Sequence, residues 1–551
     1  MELLIDLFGY LSIIVHGLTI LAQSMALGGV LFLVLLALPL LPVTGTGVAR
    51  RTARIAAWSA MGLVAAEALT VALQTAVLTG TLDIGLWGSV TAHATLAGLA
   101  KIAAGLALAA LLFRRGERAG TLPLLVLSAL ILAAATLTTH AAARLEDRGP
   151  LLAAAFLHQA GAALWIGGIP SFLAALNWTD DGVSFRAIGA RFSALSMLGV
   201  ACILASGTVM SVLYIGDWGG FYGTAYGVMV GAKIALFLML LALGGLNFLL
   251  VGRLRANPAT PITRLRRCAE AEIGIGVALF FAAASLTSVP PAIDLSQDRA
   301  TWADIAARNA PAWPRLHSPD HDRLAIPALQ ARLDAEAAAR AARPLPAFTP
   351  GEGQIPPRNA DDVAWSEYNH HWSGLFVTAV GLLALLNRAG LGWAKHWPLL
   401  FLGLGVFLFI RSDPEVWPLG GIGFFESFRD VEVVQHRVFV VLIAAFALFE
   451  WRVRVSGQTG TRASLVFPLL CAVGGGLLLT HSHAIANVKE QLLIEVSHTP
   501  LALAGIAAGW ARWLELRLDP AESPGLRRAA GWVWPVCLLM CGLILLNYRE
   551  A

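Results

Sequence analysis

Residues 221–251 read FYGTAYGVMVGAKIALFLMLLALGGLNFLLV, and residues 252–267 continue GRLRANPATPITRLRR. The first stretch exceeds the roughly 20 apolar residues a helix needs to cross a bilayer. The second brings Arg253, Arg255, Arg264, Arg266 and Arg267 into one short connection, while the turn before the run, Gly216-Asp217-Trp218-Gly219, has no cation. Cationic loops stay in the cytoplasm, so this segment defines both a membrane helix and its direction.

Working outward, the same pattern recurs. Fourteen apolar stretches are expected to span: 7–40, 55–80, 89–113, 121–140, 150–176, 187–215, 221–251, 268–291, 372–390, 396–411, 434–451, 464–483, 491–512 and 528–547. Connections after odd-numbered spans carry clusters such as Arg50, Arg51 and Arg54, or Arg452, Arg454 and Arg462, and those after even-numbered spans are poor in cations. The expectation is an all-α, polytopic transmembrane helical bundle with both termini on the outer side, periplasmic in a Gram-negative cell. Composition agrees: 57% of the 551 residues are hydrophobic and 13% charged, about half the charge of a soluble domain. A net charge of +4, spread over short loops, argues against a nucleic-acid partner. Lipid is the expected surround. Four of the five cysteines fall in apolar runs and Cys268 lies on the arginine side, so no disulfide framework is expected.

A polar segment divides the chain. The expected units are an eight-span membrane domain (1–291), an outer loop or cap (292–371) with an Ala/Arg/Glu stretch at 328–343 and a Pro/Gly-rich linker at 344–358, and a six-span membrane domain (372–551). The first unit carries a faint 4+4 echo, Ala100-Lys101-Ile102-Ala103 against Ala232-Lys233-Ile234-Ala235, as in transporters built from parallel repeats.

Twelve of the thirteen histidines map to the outer side, and only His396 falls inside. A single histidine at a helix end often meets water or a carbonyl, but the grouping points to ligation, since imidazole is the commonest metal ligand. His436, His481, His483 and His498 open or close neighbouring spans and form one candidate metal or haem site. His16, His93, His140 and His158 form a second. At 100° per residue His481 and His483 face different ways, so at most one of them should join His498. Secondary candidates are His317 and His321 in a turn that also reads as acidic and solvated, His370 and His371 leading into span 9, and Cys537 with Cys541, one face of span 14 that also reads as apolar packing. Glu67, Lys101 and Lys233 are intramembrane charges that must face the interior. The plain reading of Glu67 and Lys101 is an ion pair, and the alternative is ion or proton passage.

The stretch Leu157-His158-Gln159-Ala160-Gly161-Ala162-Ala163-Leu164-Trp165-Ile166-Gly167-Gly168 resembles the signature of the CopD copper-resistance membrane proteins. The resemblance continues through Arg191-Phe192-Ser193, Ser206-Gly207, Tyr226-Gly227, Lys233, Asn247, Glu272 and Pro290-Pro291, with Asn247-Phe248 where the family often has Asn-Arg. The later Ser412-Asp413-Pro414-Glu415, Gln435-His436-Arg437, His481-Ser482-His483 and Ser497-His498-Thr499-Pro500 resemble the extension of its long members. Of the family's motif, only His158 is carried over as a site residue. The resemblance implies copper transport or homeostasis across a bacterial inner membrane, beside a periplasmic copper-binding protein, and a transporter or copper-handling protein rather than an enzyme. Paired histidines at one depth leave open a different class, a b-type haem membrane cytochrome carrying electrons from quinol or reducing Cu(II).

Overall fold

The computed structural model describes residues 2–81, 85–295, 299–325, 359–480 and 488–550, together with positions 331, 335, 338 and 339. Its long elements are α1 (Glu2–Phe32), α2 (Leu41–Thr81), α3 (His93–Arg115), α4 (Thr121–Thr136), α5 (Arg148–Leu164), α6 (Gly182–Ile215), α7 (Ala225–Ala256) and α8 (Thr263–Leu286), then α9 (Ala360–Arg388), α10 (Leu399–Arg411), α11 (Val431–Ser456), α12 (Val466–Leu478), α13 (Val488–Arg517) and α14 (Pro524–Leu546). Each expected span falls on one of these, and no strand occurs among the described residues. Among the described residues eleven helical segments are long and apolar enough to cross a membrane, while Thr121–Thr136 and Arg462–Leu478 are apolar but shorter. The fold is therefore all-α and polytopic.

Lipid tails are as apolar as leucine, so close packing of small residues, more than a hydrophobic drive, holds such helices together. Helix α5 ends at Leu164, and the chain resumes as a short helix, Ile169–Asn177. At the break Gly167 lies against the backbone of Ser24 and Gly28 against Gly167, where any side chain would collide. Between α9 and α14, Gly374 stands where a Cβ would meet the Leu546 nitrogen at 2.6 Å.

Helix α9 begins twelve residues before the apolar run at 372. Asn359 caps it, accepting from the amides of Asp361 and Asp362 while Asp362 accepts from the Asn359 amide. That reciprocal cap satisfies donors a helix N-terminus otherwise leaves open. The polar extension lifts His370 and His371 beyond the apolar part of the helix.

The described part of the 292–371 segment is docked on the bundle. Arg299 pairs with Asp217 at 2.7 Å, Arg315 pairs with Glu367 at 3.1 Å, and Trp372 donates to the Leu316 carbonyl. The stretch expected as a short helix at 328–343 falls almost wholly outside the described residues, and 344–358 falls there entirely.

The two halves meet along α8 and α13. The Trp510 ring lies against Gly274, and Glu270 accepts from Trp513 at 3.0 Å and from Arg517 at 3.2 Å. At the same arginine-rich end, Glu450 pairs with Arg454 and Arg512 at 2.7 and 2.9 Å, and Arg512 also bonds Glu515, which pairs with Arg388. Arg388 and Arg454 thus lie in last helical turns and Arg512 within α13, all engaged with carboxylates, although in the sequence they read as loop cations.

Candidate metal centre

Which ring nitrogen of a histidine holds the proton follows from what the other partner can do. A carbonyl oxygen only accepts, so a nitrogen facing one must donate. On α9, His370 Nδ1 lies 2.9 Å from the Ser366 carbonyl. On α13, His498 Nδ1 lies 3.0 Å from the Ile494 carbonyl. On α11, His436 Nδ1 bonds Asp413 at 2.7 Å. On α5, His158 Nδ1 lies 3.1 Å from Ser206 Oγ, whose own hydrogen goes to the Cys202 carbonyl at 2.6 Å. In the neutral form all four rings therefore carry the proton on Nδ1 and the lone pair on Nε2. Outer-shell bonds of this kind orient metal-ligating imidazoles.

Two of these rings meet. His370 and His498 stand 5.9 Å apart between centroids, nearly perpendicular. Tyr548 stacks on His370 at 3.7 Å and meets His498 edge-on at 5.8 Å. Glu550 accepts from the Tyr548 hydroxyl at 2.9 Å and from Ser366. His436 lies within electrostatic reach of His370. Its partner Asp413 is buried, which alone would raise the carboxyl, yet His436 beside it and the Ser412 hydroxyl hold it below the usual range.

The remaining candidates divide by their bonds. His371 Nδ1 accepts from the Arg315 amide at 2.6 Å and Nε2 donates to the Tyr548 carbonyl at 2.8 Å, so both nitrogens hold structure. His140 donates Nε2–H to Thr287 and His321 donates it to Pro414, both at 2.8 Å. His93 and His317 are exposed. His481 and His483 lie outside the described residues. His16 on α1 has Lys101 and His140 within electrostatic reach. Beneath it Lys101 and Glu67 form a buried ion pair at 2.7 Å, and Gln23 bonds Gln159 at 2.9 Å. Lys233 is half-buried and within electrostatic reach of His158. The thiol of Cys541 faces the Leu501 carbonyl and that of Cys471 faces the Gly505 carbonyl; Cys537 joins them in an apolar cluster.

Among the described residues no three His, Cys, Asp or Glu side chains converge as a metal cluster; the pair His370 and His498 is what the helices bring together. The haem reading finds no support in that geometry, because the ring packed against both imidazoles is that of Tyr548. Sequence reasoning gave His370 second rank and passed over Tyr548, Asp413 and Glu550. The signal for Asp413 was its place in Ser412-Asp413-Pro414-Glu415, whereas nothing local marked Tyr548.

Fold and site together define a polytopic helical membrane protein with imidazoles gathered at one end of its second half. Residues 186–286 match the family model CopD, copper resistance protein D. Phe192, Ser206, Tyr226, Lys233, Asn247 and Glu272 all lie in the matched region, with Asn247 donating to a buried Glu272 at 2.5 Å. Over 174 residues the chain is 33% identical to the copper transport protein CutJ of Bacillus subtilis (strain 168). That alignment covers 31% of this chain and 30% of the relative's length. No solved structure matches.

Proposed function

We propose that the protein captures copper at the histidine-bearing face and carries it across a bacterial inner membrane. In this reading both termini and the 292–371 segment lie on the periplasmic side, between the membrane units 1–291 and 372–551, and a periplasmic copper-binding protein is the donor. His370 and His498 hold the incoming ion through Nε2, with His436 beside them and His481 and His483 further candidates. Imidazole accepts both Cu(I) and Cu(II), so the ligands do not demand one oxidation state. His16, His140 and His158 belong to the first half, where the CopD match lies, and His158 is the candidate for onward passage.

The observation that carries the reading is the meeting of two imidazoles from different helices, each with Nδ1 anchored to a carbonyl of its own helix. The copper resistance match and the copper transport relative support copper as the metal. Purified protein, titrated with copper against a chelator of known affinity, tests it. His370→Ala and His498→Ala should each weaken retention tenfold or more, on the order of what loss of an outer-shell partner alone already costs. His396→Ala, whose ring accepts from Trp451 at 3.1 Å on the opposite face, should change nothing. Undiminished copper retention in the His370/His498 double variant would defeat the assignment.

A further inference from the structure

Helices α1 and α2 part on their outward side and leave a groove of about 860 Å³. Leu18, Leu21 and Met25 wall it from α1, and Ile55, Gly62 and Leu69 from α2. The α2 lining from 51 to 69 recurs every three or four residues, so one helix face runs the length of the groove, about 27 Å at 1.5 Å per residue. That is long enough for one extended acyl chain with its glycerol. An apolar cleft facing hydrocarbon takes lipid rather than water.

The arginine-rich end of the groove is different. Arg51 and Arg54 stand at its mouth, and Arg51 lies over the Trp178 ring at 5.2 Å. Among the described residues no carboxylate pairs with either cation, although the adjacent Arg50 reaches Glu117 at 3.8 Å. Arg54 follows Arg51 by three positions, so both project from one helix face. Trp58, 68% exposed, lines the groove one turn further on. Two cations without counter-charge at the end of a lipid-length apolar cleft are complementary to a phosphate with an acyl tail. We propose that this groove is a binding site for one anionic phospholipid, its tail along α2 and its phosphate between Arg51 and Arg54.

Native mass spectrometry of the delipidated full chain tests the site, comparing phosphatidylglycerol with phosphatidylcholine of the same tails. The anionic lipid should bind more tightly at one site. Each Arg→Gln change at 51 and 54 should weaken it about fivefold, the effect of one basic residue near a phosphate surface, and leave phosphatidylcholine unaffected. A Cβ at Gly62 has room, its nearest neighbour being Ala22 at 3.7 Å, and Gly62→Leu, by filling the groove, should weaken both lipids. Brominated phosphatidylglycerol should quench wild-type fluorescence, and Trp58→Phe should remove part of that quenching; this arm needs no arginine variant to fold. Glycerol phosphate without tails should not displace the lipid. Equal binding of the two lipids, an unchanged preference in Arg51→Gln/Arg54→Gln, or quenching indifferent to Trp58 would each overturn the proposal.

Discussion

Replacing Lys101 by methionine should destabilise the protein far more than replacing Lys101 and Glu67 together. The two groups meet at 2.7 Å with about 5% of either side chain exposed. At an effective dielectric of 20 their attraction is about 6 kcal/mol, and most of it offsets the cost of taking both charges out of water. Breaking such a pair from one side leaves a buried charge uncompensated and costs about 3–5 kcal/mol, whereas replacing both members by apolar or neutral groups is often near neutral. The expected losses are thus about 4 kcal/mol for Lys101→Met, a similar amount for Glu67→Gln, and about 1 kcal/mol or less for the double variant. Equilibrium unfolding of the purified protein in mixed micelles, followed by tryptophan fluorescence, reads all four corners of the cycle. Losses that simply add in the double variant would refute the reasoning, because additivity means the two residues act independently.

Two further outcomes follow from the second half. Asp413→Asn keeps the shape beside His436 but removes the carboxylate that fixes its Nδ1 proton; copper retention should fall by about 10–100-fold, measured by chelator competition, if His436 takes part in capture. Glu415, in the same turn, is pushed up from 4.5 to about 7, chiefly by burial and then by its own carboxylate neighbours Asp413, Glu432 and Asp430. Between those two values the folded form holds a proton that the unfolded chain has released, so stability should fall as pH rises through that window. Unfolding midpoints taken on both sides of it should show this loss in the wild type and a reduced one in Glu415→Gln; equal slopes would remove Glu415 as the cause.

The helices were legible because the membrane imposes a length and a polarity that a linear sequence displays directly. Residues 221–251 and the arginines after them are the clearest case. The start of α9 was not, since Asp361, Asp362 and Glu367 interrupt hydropathy while the Asn359 cap sustains the helix. Buried charge was also hidden: Arg454 and Arg512 look like loop residues until Glu450 is seen between them. The site was half readable. Histidine position along the chain locates depth, but the sorting of His370 and His498 from His140, His321 and His371 depends on which carbonyl comes within reach of which nitrogen. That is decided by side-chain direction and by contacts between segments far apart in sequence.

His371 ties the Arg315 amide on one side to the Tyr548 carbonyl on the other, and the latter partner is 177 positions later in the chain. At about 5–20 residues per second, a ribosome finishes α9 roughly 8–32 s before residue 548 emerges. Through that interval α10 to α13 enter the bilayer while the imidazole of His371 waits for its acceptor and His370 for the ring that stacks on it. Assembly of this end of the molecule is therefore a late event in biogenesis.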